Sequence, residues 1–358
     1  MDAPPIRMVD LERRHARLSA SVEQAAVAVL RSGQWVGGEK VRELEEEMAQ
    51  LFSRQWGVGV GSGTDGLIMA LQALGIGAGH RVAVPAVSFF ATVGAVLAVG
   101  ATPIFIDILE DRPLMDPDKL SGSMNLDAVM AVDLFGMYCP LPQLDIPVVR
   151  DSAQAAGWSH PRPPADAICV SLYPTKTIGG AGDGGVVLCD DSNLAERIRS
   201  LGNHGRVAPH VHARIQADVA PGTSRLDAIQ AAIALVHLED IQRRVQRRRA
   251  IATTYEQHLG HLNPLPRHPA DALQRFVLQS PRRDQIRSSM SAQGIQSDCC
   301  YPLPLDAQPF FTQNSNPTPA DSAHPNARAY CEQAFSLPCH AELADEDVLH
   351  VIDVVSNS

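Results

Sequence analysis

Residues 81–107, RVAVPAVSFFATVGAVLAVGATPIFID, begin and end with short apolar runs, RVAVP and TPIFID, which flank a helix-like segment. Further runs of the same kind follow along the chain: AVMAVDL at 128–134, IPVVRD at 146–151, AICVSLY at 167–173 and GVVLCD at 185–190. Continuous apolar strands that alternate with helices are typical of a sheet covered by helices on both faces. The sequence therefore predicts an α/β fold with a mostly parallel central sheet.

The length of the chain, 358 residues, favours two domains, because a single core usually stops growing at ~250–300 residues. We expect the first helix in EKVRELEEEMAQLF, where one helical face is apolar: Val41, Leu44, Met48 and Leu51. Two helical stretches, at 224–238 and 239–259, precede a proline-rich region with short helix and strand signals. We predict a large α/β domain over residues 1–240 and a smaller C-terminal α+β domain over residues 241–358.

Composition and charge exclude several classes of protein. The net charge of −10, from 40 acidic and 30 basic residues, disfavours a nucleic-acid surface, and we expect the run QRRVQRRR (242–249) to form a solvated helix face. The chain lacks both a leader-like start and the ~18 consecutive apolar residues that a membrane span needs. We therefore expect a cytoplasmic location. The seven cysteines are odd in number and contain no CxxC motif, which suggests reduced thiols.

Lysine is scarce, and one of the three lysines stands apart. Lys40 and Lys119 occupy charged, solvated segments, whereas Lys176 follows an apolar strand in SLYPTKTIGGAGDGG (171–185). Ligands of α/β folds bind at such strand ends, and a lysine amine can form a Schiff base with a carbonyl group. Taken alone, this feature leaves a structural or phosphate-binding lysine as an alternative.

Two further motifs lie at strand or helix ends. GSGTDG (61–66) precedes an apolar helix and exposes backbone N–H groups that suit a phosphate, although Thr64 or Asp65 could simply cap the helix. Asp151 ends the strand IPVVRD and could bond the ring nitrogen of pyridoxal phosphate, although it could also be a turn residue. The phosphate motif, the carboxylate and Lys176, in that order, together favour a site for pyridoxal 5'-phosphate.

At these residues the chain resembles the DegT/DnrJ/EryC1/StrS family of nucleotide-sugar aminotransferases, nearly end to end. The resemblance is carried by SGTDGLIMALQALG, DSAQAAG, SLYPTKTIGGAGDGG, SRLDAIQAA and YPLPL, among other segments. It implies the aspartate aminotransferase (type I) fold, with Lys176 as the covalent anchor of the cofactor and Asp151 beside the pyridine nitrogen. It also implies that the remaining parts of the cofactor contact Gly63, Thr64 and Ser171 (phosphate), Gln154 (ring hydroxyl) and Phe89 (ring face).

The resemblance further implies a homodimer with a shared active site. Thr223 and Arg225 would complete the partner's site, Thr223 by contacting the cofactor and Arg225 the substrate. Cys300 and Tyr301 would face the sugar nucleotide. Relatives commonly have asparagine at 223 and histidine at 300, 133 and 156, so we expect Thr223, Cys300, Asp133 and Ala156 to alter substrate choice more than cofactor chemistry.

The activity implied is transfer of an amino group from L-glutamate to the keto group of a nucleotide-linked sugar, with a leaning toward carbon 3. Such a reaction serves the synthesis of amino sugars for surface polysaccharides or natural-product glycosides. A sugar dehydratase of the same family is one alternative, but dehydratases resemble this pattern with histidine in place of Lys176. A non-catalytic or regulatory sugar-nucleotide-binding relative is another. We expect no metal site, although His210 and His212 are close in sequence.

Overall fold

The computed structural model describes residues 4–120, 125–206, 222–313 and 324–358. Its central sheet has seven strands in the order β1-β7-β6-β5-β4-β2-β3. The strands are β1 (Trp56–Val60), β2 (Arg81–Pro85), β3 (Thr102–Ile106), β4 (Ala128–Val132), β5 (Val148–Asp151), β6 (Ala167–Ser171) and β7 (Gly185–Cys189). Only β7 runs antiparallel to its neighbours, β1 and β6. The prediction of a mostly parallel α/β sheet is confirmed.

Helices cover both faces of this sheet, which explains why β4 to β7 are buried along their whole length. One face packs against α3 (Gly63–Ala73), α4 (Phe90–Ala98) and α5 (Ser192–Leu201). The other face packs against α1 (Leu11–Ser32), α2 (Glu39–Leu51) and α6 (Ala228–Glu239). Successive residues of β6 alternate between these cores, since Cys169 joins the first and Ile168 and Val170 the second.

The C-terminal region forms its own core around a two-stranded antiparallel sheet of β8 (Phe276–Gln279) and β9 (Ala334–Leu337). Its helices are α7 (Ile241–Leu259), α8 (Arg283–Ala292), α9 (Pro309–Gln313), α10 (Pro325–Gln333) and α11 (Asp345–Ser356). The N-terminal segment reaches this region, because Ile6 pairs with Ile295. The domain division after residue 240 stays a prediction. Across the described ranges, no helix combines the length and apolarity that a membrane crossing requires.

Two sequence expectations need correction. The helix beginning at Glu39 is the second of the chain, because α1 precedes it. The run QRRVQRRR is not a wholly solvated face: Arg244 and Arg248 are only 2% and 3% exposed. Their spacing of four residues puts them on one side of α7, which packs toward the protein interior.

Asp133 is also buried, with consequences for its expected role. Its carboxylate forms an ion pair with Arg150 at 2.6 Å and accepts hydrogen bonds from the Ser152 hydroxyl (2.5 Å) and the Cys139 N–H (3.0 Å). Burial raises the pKa of Asp133, and the Arg150 charge opposes that rise. Although Asp133 borders the cavity described below, both oxygens of its carboxylate already bond other groups of the protein. Ala156 is likewise buried in the core, so the expectation that these two residues alter substrate choice finds no support in their contacts.

Replacing Asp133 with asparagine should lower the free energy of unfolding by about 3–5 kcal/mol, because the Arg150 charge would remain buried without its counter-ion. Urea unfolding would measure the change. The matched control is Glu43→Gln, which removes a half-exposed pair with Lys40 and should cost at most ~0.5 kcal/mol. Equal losses in the two variants would contradict the importance of the buried pair.

Candidate active site

A cavity of about 490 Å³ lies at the carboxyl ends of the parallel strands, where α/β sheets place their ligands. It is bordered by residues that end β4, β5 and β6 or follow β1 and β2 within three residues. Of the predicted site residues, these line it: Gly63, Thr64, Phe89, Asp151, Gln154, Ser171, Lys176, Cys300 and Tyr301. The fold therefore brings together residues, such as Gly63 and Tyr301, that are more than 200 positions apart in the sequence.

The start of α3 forms one wall of the cavity. The helix is capped by Ser62, whose hydroxyl accepts from the Asp65 N–H at 3.0 Å, so the alternative that Thr64 or Asp65 is the cap was wrong. A β-carbon added to Gly63 would lie 2.9 Å from the β-carbon of Ser171, at the end of β6. The Ser171 side chain therefore lies directly beside the first residue of α3, and both border the cavity. A hydroxyl next to the start of a helix, where backbone N–H groups are unpaired, is an arrangement that suits a phosphate.

Asp151 is the last residue of β5, and it lines the cavity. Thr92 donates a hydrogen bond to Asp151 Oδ2 at 2.8 Å, and the hydroxyl groups of Thr92 and Ser88 are 2.7 Å apart. Burial raises the pKa of Asp151, while the hydrogen bond from Thr92 and the charge of Lys176 oppose the rise. A carboxylate in this setting is expected to be stabilised strongly by a cationic group that enters the cavity.

Lys176 lies on the loop that joins β6 to β7. Burial lowers the pKa of Lys176, the Asp151 carboxylate opposes this shift, and the positive charge of Arg275 adds to it. A lowered pKa increases the fraction of neutral amine, which is the nucleophilic form. The amine therefore has the properties that Schiff-base formation requires.

The lysine loop is held in place by polar side chains from other parts of the chain. Gln274 donates to the Thr175 carbonyl at 2.8 Å and accepts from the Thr177 hydroxyl at 2.6 Å. Arg14 of α1 donates to the carbonyls of Pro174, Ile178 and Gly179, and the last of these also accepts from His237 at 2.6 Å. The loop is thus fixed on both sides of Lys176, and the buried Arg14 contributes to this support.

Other residues of the cavity lining are aromatic or polar. Phe89 is 56% exposed, and its ring centroid is 6.3 Å from that of Tyr301. The Gln154 side-chain oxygen accepts from the Phe135 N–H at 2.8 Å, which fixes the orientation of its amide. Cys300 is buried, and its thiol lies 3.2 Å from Asp298 Oδ2. An exposed aromatic ring at a cavity wall is suited to stacking on a planar ligand.

Thr223 and Arg225 do not line this cavity. Both are exposed, and each bonds a neighbouring side chain: Thr223 contacts His204 at 2.7 Å, and Arg225 donates to Asn203 at 3.0 Å. Arg225 instead borders a second cavity, of about 720 Å³, between α2, β1 and α5. Within one chain, these two residues are therefore separate from the other predicted site residues.

Comparison with known proteins identifies the family. The sequence profile of the DegT/DnrJ/EryC1/StrS aminotransferase family matches residues 17–356. The chain belongs to this family. It is 33% identical to a UDP-N-acetyl-3-dehydro-α-D-glucosamine 3-aminotransferase of Acidithiobacillus ferrooxidans, covering 98% of this chain and 97% of the relative. It is also 30% identical to a pleiotropic regulatory protein of Geobacillus stearothermophilus, covering 98% of each chain.

Among solved structures, the fold is similar to that of DesV from S. venezuelae, with a TM-score of 0.90 and 31% identity over 99% of this chain and 98% of that one. Membership of the DegT/DnrJ/EryC1/StrS family confirms the predicted fold class and makes the chain an aminotransferase that depends on pyridoxal phosphate. The residues present suit this cofactor: an amine of lowered pKa, a buried carboxylate and a glycine whose β-carbon would fill the cradle beside Ser171.

The sequence analysis did not identify several residues in and beside the 490 Å³ cavity. One of them, Thr92, lies behind the cavity wall, where it donates to the Asp151 carboxylate, and no pattern in the sequence indicated this contact. Tyr173, Arg275 and Asp298 line the cavity. Arg275 and Asp298 lie in short segments of the C-terminal region, where no pattern in the sequence indicated that they approach Lys176.

Within the described ranges, no group of three or more His, Cys, Asp or Glu side chains is arranged to hold a metal ion. His210 and His212 lie outside the described residues. All seven cysteines are free of disulfide bonds.

Proposed function

We propose that this protein transfers an amino group from L-glutamate to the keto carbon of a nucleotide-linked sugar. The observation that carries the proposal is that Lys176 and Asp151 line one cavity, next to the phosphate-type cradle at the start of α3. The similarity to an aminotransferase that acts on a UDP-linked 3-keto sugar supports carbon 3 as the site of reaction. The product class would be amino sugars used in polysaccharides or glycosides.

The proposed roles follow from the position of each side chain. Gly63, Thr64 and Ser171 would bind the phosphate of the cofactor, the Phe89 ring would cover one face of its ring, and Gln154 would contact the ring hydroxyl. The pyridoxal ring, when bound, supplies an electron sink for the carbanion formed at the carbon that exchanges its proton. Asp151 would hold a proton on the ring nitrogen, because an ionised carboxylate favours a cation beside it.

Lys176 would perform the proton transfers of both half-reactions. Its amine, released from the cofactor by the amino donor, would take the proton from the α-carbon of glutamate and return it at the position next to the ring. In the second half-reaction it would move a proton in the reverse direction to the former keto carbon of the sugar. The contacts of Gln274 and Arg14 with its loop would keep the amine within reach during both steps.

We also propose that the active protein is a homodimer and that it acts in the cytoplasm. Thr223 and Arg225 are exposed and lie outside the cavity of their own chain, so they are available to reach a neighbouring one. Thr223 would then donate to the cofactor phosphate, and Arg225 would contact the sugar nucleotide. Cys300 and Tyr301 would face the same substrate from within the chain.

A panel assay tests this proposal against a purely regulatory role, which the similarity to the Geobacillus regulatory protein raises. The purified protein, loaded with pyridoxal phosphate, is mixed with L-glutamate and with UDP- and dTDP-linked 3-keto and 4-keto sugars. We expect glutamate to bleach the yellow absorbance and one 3-keto substrate to yield an amino sugar detectable by mass spectrometry. Cofactor uptake without bleaching or amination by any member of the panel would contradict the proposal.

A further inference from the structure

The cavity contains a second basic side chain besides Lys176. Among the described residues that line it, Lys176 and Arg275 are the basic ones, and Arg275 has no role in the proposed function above. Because Lys176 serves the cofactor and the proton transfers, Arg275 is the remaining cation that the same chain offers to a bound acid among the described lining residues. Both residues also border a small adjoining recess of about 40 Å³ beside the N-terminal segment.

The guanidinium group of Arg275 has N–H donors that its contact with Asp298 does not use. Its Nη1 atom lies 3.0 Å from Asp298 Oδ2, and the two side chains are 24% and 47% exposed. Ion pairs that are open to water in this way are weak. A guanidinium group carries five N–H donors in a planar fork that matches a carboxylate, and Asp298 is the one acidic partner that the described residues give it.

The backbone at Arg275 is fixed close to the lysine loop. The preceding residue, Gln274, bonds Thr175 and Thr177 on either side of Lys176 and also accepts from Arg248 at 3.0 Å. The following residue, Phe276, begins β8 and is 2% exposed. The backbone of Arg275 is therefore held in the cavity wall that also contains the reacting amine, which lowers the cost of ordering the residue when a ligand binds.

We propose that Arg275 binds a carboxylate group of a substrate in this cavity. The inference rests on the proposed function, and it names the acid-binding residue of the same site. Two substrates could supply the group: the α-carboxylate of the amino donor is one bond from the carbon that Lys176 must reach, and a sugar acid would carry a carboxylate at carbon 6. In the free protein, Asp298 holds the guanidinium at the cavity, and the incoming carboxylate adds to or displaces this contact.

The test compares the wild type with Arg275→Gln and with the control Arg282→Gln, which removes an exposed arginine of the same region whose partner is the Ser358 carbonyl. Each protein is loaded with pyridoxal phosphate, and uptake is checked by its absorbance. Equilibrium titrations then follow the cofactor spectrum with three probes: L-glutamate, a UDP-linked 3-amino sugar with a hydroxymethyl group at carbon 6, and the same sugar with a carboxylate there.

We expect Arg275→Gln to weaken binding of one carboxylate probe by roughly 10- to 100-fold and to leave the hydroxymethyl sugar unchanged. A loss confined to glutamate identifies the amino donor as the source, and a loss confined to the sugar acid identifies the sugar. If neither carboxylate probe is weakened relative to Arg282→Gln, or if all three weaken equally, the assignment of Arg275 is refuted.

Two further measurements separate failure of the Arg275 assignment from a variant that does not take up the cofactor and from failure of the proposed function. Arg275→Lys retains the charge but not the planar fork, so it should recover part of the lost affinity, and it replaces Arg275→Gln if that variant fails to take up the cofactor. A wild-type protein that takes up the cofactor but responds to none of the three probes refutes the proposed function itself. That result is visible without any variant, so it is distinguishable from failure of the inference about Arg275.

Discussion

Replacing Lys176 with alanine should eliminate turnover, with a loss of at least about 10⁴-fold, because general acid–base catalysis alone contributes roughly 10²- to 10⁴-fold and the covalent anchor is lost as well. Borohydride reduction of the loaded wild-type protein should attach a pyridoxyl group to the peptide that contains Lys176. Since the chain has only Lys40, Lys119 and Lys176, mass spectrometry can assign the label without ambiguity.

Lys40→Ala is the control for this experiment, because Lys40 is exposed and pairs with Glu43 on α2. It should retain both turnover and labelling. Turnover by Lys176→Ala near the wild-type rate, or a label on Lys40 or Lys119, would refute the role assigned to Lys176.

Replacing Asp151 with asparagine should lower kcat by roughly 10²- to 10⁴-fold, which corresponds to removing one partner of a buried charge pair at about 3–5 kcal/mol. Without the carboxylate, no side chain would favour a proton on the ring nitrogen, and an unprotonated ring would supply a weaker electron sink. The rate of glutamate-dependent bleaching in stopped flow would isolate this step from binding of the sugar.

Thr92→Val offers a graded comparison, because it removes one hydrogen bond to the Asp151 carboxylate and keeps its charge. Its expected loss is about 3- to 10-fold. Asp284→Asn, at an exposed position of α8, should behave as the wild type. A bleaching rate of Asp151→Asn that matches Asp284→Asn would exclude Asp151 from the chemistry.

Sequence patterns were sufficient where a residue's environment is dictated by its own neighbours in the chain. The strands β2 to β7 are continuous apolar runs because both faces of the sheet are covered, and this is readable without a structure. The strand β1 was not predicted, since its sequence WGVGV contains two glycines. A β-carbon at Gly57 would lie 2.4 Å from the Glu45 carbonyl oxygen, so close packing against α2 requires glycine there.

Buried arginines account for most of the remaining errors. The run that contains Arg244 and Arg248 was assigned to a solvated helix face, and α1, which contains the buried Arg14, was not predicted. Their burial is compensated by backbone carbonyls of the lysine loop and by Gln274, which only the tertiary fold supplies. The same holds for Arg275, whose nearness to Lys176 arises from packing of the C-terminal region against the loop.

The contacts of the N-terminal segment have a consequence for biosynthesis. The backbone of Ile6 forms hydrogen bonds with the backbone of Gly294 and Gln296, and Arg14 donates hydrogen bonds to carbonyls of the lysine loop. At ~5–20 residues per second, roughly 15–60 s separate the emergence of Ile6 from the ribosome and that of its partners. The helix α1 docks earlier, because α2, the sheet and α6, which share a core with Val29, are all synthesised before Gly294. The contact between Ile6 and the C-terminal region can therefore form only after the large sheet and its helices have been synthesised.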